Sequence, residues 1–569
     1  MENIVFLILR RMRQPLLTLL LVYAISILGL TLIPGRDADG NVWYMTFFHA
    51  FYFVSYMATT IGFGEIPYAF SDAQRLWVSL ALYASVIAWI YAFGTILALV
   101  QDRVFQEAIA ENRFARRIRR MREPFHLVCG YGETGTALVK SLTGRGQHVV
   151  VIDIDATRTN IIQLQDLREF VPALHGDAAI TRHLQEAGLQ HPCCAGVVAL
   201  TDSNEVNLKI ALTAKLLNPK IKVICRADSH DVEANMASFG TDYIVDPFDT
   251  FAGQLAVALQ APCLHLLQRW LTGREGSSLS EPVYPPQDSH WIVCGYGRFG
   301  KAICARLKNE GIRVVVVEAK PELAGRPAED FVAGRGTEAN TLQEAGVEHA
   351  AGLVAGTDND ANNLSIVMTA RALNPELFVV VRQNQNDNHD IIAAVDADMV
   401  MHPSAIIADK IRVLLATPML YEFMSLALYQ EDSWACELAS RVTALVREEV
   451  PTIREWLLVP GENGVLHEFL SHGGAFAVRD LLRDPWQRED GLNAIVLLVR
   501  RRNDRILLPD PDTALKSGDR LLLCGDRTAF TRMHWTVSHR HTLDYVKTGE
   551  DRPQSWIWRA WYRRRRYSG

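Results

Sequence analysis

Two octets carry the chain's most chemically legible spacing. Val128-Cys129-Gly130-Tyr131-Gly132-Glu133-Thr134-Gly135 and Val293-Cys294-Gly295-Tyr296-Gly297-Arg298-Phe299-Gly300 share the pattern G-x-G-x-x-G. In such a loop the first glycine makes a tight turn, the second lets backbone approach a phosphate, and the third permits close helix–strand packing. The helix that follows offers unpaired N–H groups and a positive dipole end to an anion. The partner residue is an acid about 20 positions on, which bonds ribose hydroxyls. Asp153 and Glu318 each stand 23 residues past the first glycine. A carboxylate there disfavours a 2′-phosphate, so NAD or an adenine nucleotide such as ADP or ATP is the expected ligand, not NADP.

The elements around these octets repeat as well. His148 to Ile152 (HVVVI) matches Arg313 to Val317 (RVVVV), Leu184 to Gly188 recurs at Leu342 to Gly346, and Leu217-Asn218-Pro219 recurs at Leu373 to Pro375. Thr201-Asp202 with Asn207-Leu208 recurs as Thr357-Asp358 with Asn363-Leu364. The order is preserved, which marks a tandem duplication. In each copy short β-branched runs alternate with longer amphipathic segments, the signature of a parallel sheet with helices on both faces. Each octet follows a short apolar run, Phe125 to Cys129 or Trp291 to Cys294, and opens a helix, which is the context the fingerprint needs.

Ahead of the repeat lie two uncharged runs, Pro15 to Ile33 and Leu76 to Val100. The first is 19 residues and the second 25, against the roughly 20 a helix needs to span a bilayer. Arg10, Arg11 and Arg13 precede the first run, and seven arginines between Arg103 and Arg122 follow the second. Both flanks therefore read as cytoplasmic, and the number of crossings is even. The apolar stretch between them, Val42 to Ile61, must then enter and leave on one side. Non-helical backbone at that depth is tolerated only where it lines a cavity or is buried in protein. The stretch ends in Thr59-Thr60-Ile61-Gly62-Phe63-Gly64-Glu65.

This tract closely resembles the K+-channel selectivity filter, T-V-G-Y-G-D, with Phe63 for the usual Tyr and Glu65 for the usual Asp. The resemblance implies four loops whose backbone oxygens replace the water shell of K+, supplied by Thr60, Ile61, Gly62 and Phe63, with Gly62 and Gly64 permitting the backbone angles. It implies a homotetramer in a lipid bilayer. Gly94, in Phe93-Gly94-Thr95, falls where two-span channels carry a flexible inner-helix glycine, and serves either as a gating hinge or as a close helix–helix contact.

Bulk properties agree. The chain has 569 residues, 49% hydrophobic and 21% charged, with net charge −6. That balance excludes a dedicated nucleic-acid binder, which needs a basic domain. The nine cysteines lack zinc-type spacing and read as free thiols in a reducing cytosol.

The repeated domains resemble the regulator-of-K+-conductance (RCK, or KTN) domain, over Phe125 to about Pro247 and Trp291 to about Pro403. With the two-span pore, the whole resembles prokaryotic RCK-gated potassium channels, integral to the cell membrane with both termini cytoplasmic. The expected fold class is an α-helical pore of two membrane helices and a re-entrant loop, two α/β Rossmann-type domains and a small β-rich C-terminal lobe. The expected organisation is 1–102 pore, 103–124 linker, 125–286 first domain with helical connector, 287–435 second domain with connector, 436–530 C-terminal lobe and 531–569 a basic and aromatic tail. The resemblance places ligand contacts at Gly130 to Gly135, Asp153, Gly176, Asp177, Thr201, Asp202 and Arg226. In the second copy they fall at Gly295 to Gly300, Glu318, Gly336, Thr337, Thr357, Asp358 and Arg382. Thr337 replaces the expected Asp, and Arg298 is suited to reach a phosphate. The family arranges eight such domains as a ring whose change of shape acts on the pore through the linker. It includes members regulated by divalent ions, but no carboxylate cluster here has EF-hand spacing to locate such a site. A regulatory subunit of a K+ transporter would lack the pore tract. A membrane-anchored NAD-dependent oxidoreductase would need a substrate domain, for which the duplication leaves little chain, so the chain reads as no enzyme.

Overall fold

The structure is a computed structural model describing residues 2–550, apart from Thr60, Ser229, Arg326, Ala328, Glu329, Arg447 and Glu462. The chain divides into two compact units, one made of residues 1–122 and 186–188 and the other of the remainder.

In the first unit, α1 (Glu2–Leu32), α2 (Phe47–Ala58), α3 (Asp72–Gln101) and α4 (Arg103–Ile118) follow one another. Two stretches, Arg11–Leu32 within α1 and all of α3, are long and apolar enough to cross a membrane by length and composition. Close packing of α1 on α3 needs Gly29, where a Cβ would lie 2.0 Å from the Trp77 ring. The Trp77 indole N–H donates to the Ser26 carbonyl at 3.1 Å. Ser71 and Gln74 form a capping box that starts α3 and satisfies orphan N–H groups there. Leu20, Leu28, Leu76, Leu80, Ile87, Ile90 and Phe93 stay exposed, a wide apolar surface that water does not favour.

The second unit begins with a six-stranded parallel sheet. Its strands are β1 (Phe125–Cys129), β2 (His148–Asp153), β3 (Ala173–His175), β4 (Cys194–Ala199), β5 (Lys222–Arg226) and β6 (Tyr243–Val245). Their spatial order is β3-β2-β1-β4-β5-β6. The order reverses between β1 and β4, which opens the crevice where doubly wound folds hold ligands. The second copy repeats this with β7 (Trp291–Cys294), β8 (Val314–Glu318), β9 (Asp330–Ala333), β10 (Gly352–Ala355), β11 (Phe378–Arg382) and β12 (Met399–Met401), in the order β9-β8-β7-β10-β11-β12. Central strands such as VVVV at 314–317 are buried along their length, as strands covered on both faces must be.

Helices after each sheet are exchanged between the copies. After the first come α6 (Pro247–Gln260) and α7 (Pro262–Thr272); after the second come α9 (Pro403–Ala416), α10 (Pro418–Ala427) and α11 (Asp432–Val446), with α5 (Glu133–Gly144) and α8 (Arg298–Asn309) opening from the two glycine loops. Phe248, Phe251 and Leu255 of α6 enter the second domain's core beside Trp291, Phe299 and Ile303. Ile407, Ile411 and Leu414 of α9 enter the first domain's core beside Leu138, Val139 and Val151.

A four-stranded antiparallel sheet closes the fold, with β13 (Thr452–Leu457), β14 (Ala494–Arg501), β15 (Asp504–Leu507) and β16 (Arg520–Gly525) in the order β13-β16-β14-β15. Two helices, α12 (Arg527–Ser538) and α13 (Arg540–Thr548), extend past residue 530, where the sequence sets the lobe's end. They bury Phe530, Met533, Val537 and Leu543 against Leu521 and Leu523, so this part of the expected tail belongs to the lobe's core. Residues 551–569 lie outside the described residues.

The free-thiol expectation is corrected at one pair. Cys263 and Cys436 form a disulfide, while Cys129, Cys193, Cys194, Cys225, Cys294, Cys304 and Cys524 stand outside any disulfide. Packing of α7 on α11 brings together two cysteines 173 residues apart, with their Cα atoms 5.0 Å from one another. Spacing along the chain carries no trace of that meeting.

Candidate functional site

Each glycine loop ends its strand in a turn only glycine can make. Gly130 has φ +104°, and a Cβ there would come 2.9 Å from the Leu200 carbonyl. Gly295 has φ +95°. Gly135 and Gly300 admit no side chain either, since a Cβ would lie 2.1 and 2.0 Å from the carbonyl oxygens of Gly130 and Gly295. The middle glycines differ. At Gly132 the nearest atom to an added Cβ is the Arg158 guanidinium, 3.6 Å away, and at Gly297 there is none within 4 Å. Both are helix N-caps without a side-chain cap bond. No side chain caps the first-turn N–H groups of α5 and α8, and the N-cap glycines line the clefts, the arrangement that suits an anion.

The acid after the second strand supports the loop in both copies. Asp153 is 4% exposed, and its carboxylate accepts from the Tyr131 N–H at 2.5 Å and the Asp155 N–H at 2.8 Å. Glu318 accepts from the Tyr296 and Lys320 N–H groups at 2.7 and 2.9 Å. Both carboxylates line their clefts.

The first cleft, about 370 Å³, is lined by Gly130, Gly132, Asp153, Gly176, Asp177, Thr201 and Asp202, with Arg158. The second, about 720 Å³, is lined by Gly295, Gly297, Arg298, Glu318, Gly336, Thr337, Thr357, Asp358 and Arg382, with Lys320 and Arg335. Their charge is opposite in sign. Three carboxylates face one guanidinium in the first cleft, and four cations face two carboxylates in the second. Burial holds the Arg382 guanidinium below its usual range, against the pull of Asp358. That charge sits where a ligand anion would gain most from it.

Several expected contacts point elsewhere. Tyr131 is buried and donates its hydroxyl to Gln165 at 2.7 Å. Thr134 and Phe299 are buried in the domain cores, and the Tyr296 ring packs on the second domain's core. Glu133 leaves its own cleft and accepts from the Asn386 N–H at 3.3 Å and the Ser404 hydroxyl at 3.5 Å, in the second copy. Arg226 does not line the first cleft; it pairs with Asp202 at 3.5 Å and Asp228 at 3.1 Å. Arg298 keeps its place in the second cleft and also pairs across the repeat with Asp228 at 3.1 Å. Four residues the clefts use escaped the sequence reading: Lys320 and Arg335 in the second, which no motif marks, and Arg158 and Phe248. Arg158, 3.9 Å from Asp153, stands five places after it, a position at which a basic residue was there to be noticed. Phe248 lines the second cleft from α6 of the first copy, with Arg298 and Arg382 over its ring at 5.2 and 5.1 Å, and no motif signals it.

In the first unit the tract after α2 has Gly62 at φ +69° and Gly64 at φ +90°. Tyr56 donates its hydroxyl to the Gly64 carbonyl at 2.5 Å, and Phe63 meets the Tyr56 ring edge-on at 5.4 Å. Glu65 accepts from the Phe70 N–H at 2.9 Å and pairs with Arg75 at 2.8 Å. Ile61 and Phe63 are exposed. Thr60, the expected innermost oxygen, lies outside the described residues. The helix α3 runs unbroken through Gly94, and an added Cβ there meets nothing within 4 Å.

Sheet order, glycine loops and acids define a pair of Rossmann-type domains. Residues 126–247 and 291–403 match the TrkA-N domain family; the chain carries two TrkA-N (RCK) domains. Among relatives, it is 25% identical over 252 residues to "Potassium channel protein 1" of Methanocaldococcus jannaschii, covering 43% of this chain and 66% of that one. It is 27% identical over 184 residues to a "Trk system potassium uptake protein TrkA homolog" of Methanothermobacter thermautotrophicus, covering 31% and 83%. In three of the leading relatives the aligned part spans 34%, 66% and 45% of the relative's own length. A solved structure described as "GsuK channel bound to NAD" aligns over 95% of this chain and 100% of its own, with 17% identity and a TM-score of 0.48.

Proposed function

We propose that this chain is one subunit of a tetrameric, K+-selective channel in the cell membrane, opened or closed by nucleotides bound to its two TrkA-N domains. One conjunction carries the reading: a T-T-I-G-F-G-E tract with left-handed Gly62 and Gly64 between two membrane-length helices, on a chain with two TrkA-N domains. The relatives named as potassium channels and as potassium-uptake proteins agree with it. The re-entrant course of 59–65, K+ coordination by Thr60 to Phe63, bending at Gly94 and cytoplasmic termini are parts of this proposal.

Both clefts take nucleotides in it. The second, with four cations, favours the more highly charged phosphate chains of ADP or ATP. The first, with three carboxylates, favours a ligand of lower charge such as NAD, or a nucleotide accompanied by a divalent cation. A ligand shifts gating only by its differential affinity for the open and closed states, and α4 is the covalent route from domain to pore.

The test is K+ flux through the purified chain in liposomes, with NAD+, NADH, ADP or ATP on the cytoplasmic face. K+-selective flux that responds to nucleotide, with the responses to different nucleotides lost separately in Gly132→Asp and Gly297→Asp, supports the reading. Flux indifferent to every nucleotide removes the ligand assignment, and no flux under any condition removes the channel.

A further inference from the structure

The disulfide joins the connectors at a point that the nucleotide clefts and the pore tract leave unused. Cys263 is the second residue of α7, whose N-cap Ala261 supplies no side-chain bond. Asp432 opens α11 and accepts from the Leu264 N–H at 3.1 Å, and Cys436 stands one turn further along. The N-terminus of α7 therefore meets the first turn of α11 at this pair, with the Asp432 carboxylate 3.9 Å from the Cys436 Sγ. A thiol at a helix N-terminus, as Cys263 is, ionises more readily and becomes the better nucleophile, while Asp432 stands where it can take the Cys436 proton. Both cysteines are half-buried, so small solutes reach them. Seven further cysteines stand outside any disulfide, as cysteines do in reducing surroundings, where a disulfide is a transient or sensing element and not a permanent staple.

We infer that Cys263 and Cys436 are a reversible modification site, a dithiol that exchanges with low-molecular-weight disulfides and, once oxidised, locks α7 against α11. The Cys263 thiolate attacks one sulfur of an R–S–S–R oxidant, forming a mixed disulfide and expelling RS⁻. The Cys436 thiolate then attacks the Cys263 sulfur and expels the second RS⁻. The two cysteine sulfurs lose two electrons, the oxidant gains them, and the two thiol protons end on two RSH. The lock spans the repeat, because α7 follows the first sheet and α11 leads into the C-terminal sheet. The inference does not rest on the channel reading.

The experiment uses the full chain in lipid vesicles equilibrated in glutathione buffers stepped from fully reduced to fully oxidised, acid-quenched, alkylated and mapped by peptide mass spectrometry. The expected result is a 263–436 linked peptide whose fraction follows the buffer in both directions. Hydrogen exchange on the same samples is expected to slow about tenfold across 264–272 and 437–446 on oxidation, with the difference absent from Cys436→Ser. A peptide linked at every buffer, or at none, overturns the inference, as does stoichiometric zinc on the reduced pair. Equal exchange in both states removes the lock. Wild-type protein with and without reductant gives the same readout should the serine variant fold poorly.

Discussion

The glycine loops make opposite demands at positions three residues apart, and single methyl groups separate them. At Gly135 an alanine Cβ would sit 2.1 Å from the Gly130 oxygen and 3.0 Å from its carbon. Both are backbone atoms at the root of α5 and cannot swing aside. Gly135→Ala is expected to cost about 2–3 kcal/mol of stability through overpacking. At Gly132 the backbone is extended, with φ −75°, which any L-residue adopts, and the nearest atom is 3.6 Å away. Gly132→Ala should leave stability unchanged or raise it by about 0.5 kcal/mol through the unfolded chain. Its methyl nonetheless takes the space a phosphate needs to reach the N–H groups of α5, so affinity at the first cleft should fall tenfold or more, about 1.4 kcal/mol. Thermal melts and calorimetric titration with NAD+ and ADP, on full-length protein in detergent, measure both halves. A Gly135→Ala protein that melts with wild type, or a Gly132→Ala protein that binds like it, refutes the reasoning.

Three further outcomes follow from other parts of the fold. Asp519, 1% exposed, accepts from Arg501 at 2.9 and 2.7 Å and from the Lys516 N–H at 2.8 Å; Asp519→Ala should cost about 1–3 kcal/mol by removing the acceptor of these bonds, and proteolysis should attack the C-terminal sheet first, whereas an unchanged digest contradicts this. Burial first, with a nearby cation second (Lys222 and Arg269 respectively), holds His126 and His265 down to about 4. With folded values below the ordinary 6.5, the unfolded chain binds more protons between pH 6.5 and 4, so stability falls as pH drops through that window, by up to about 1.4 kcal/mol per pH unit for each histidine; denaturant unfolding of His265→Gln should show a shallower slope than wild type, and equal slopes would discard the assignment. Tyr56→Phe removes the hydroxyl that donates to the Gly64 carbonyl, a bond worth about 1 kcal/mol; the K+ over Na+ preference of flux should narrow, and an unaltered preference would free the tract from that support.

The sheet topology was legible because it rests on local signals. Asp153 and Glu318 end their strands, as the 23-residue spacing implies, and there they receive the loop N–H groups, a bond that the spacing does not announce. What stayed hidden depends on contacts between distant residues. Nothing near Phe248 announces that its ring will line the other copy's cleft, and the meeting of Cys263 with Cys436 needs α7 and α11 folded first. Glu133 matched the motif, yet its side chain crosses to Asn386, because a motif fixes the backbone and leaves the direction of its variable positions to the neighbours.

The exchange of α6 and α9 bears on how the two copies have been free to diverge. Each sheet is closed by a helix encoded in the other half of the gene. Phe251 shares its cluster with Phe299 and Ile303, and Ile411 with Leu138 and Val139, so a change in one half's arm falls on the other half's core. The halves can drift apart in their clefts, as the opposite charges show, but their interlocked cores bind them to a common history: neither can be traded for a foreign copy without carrying its partner's arm along.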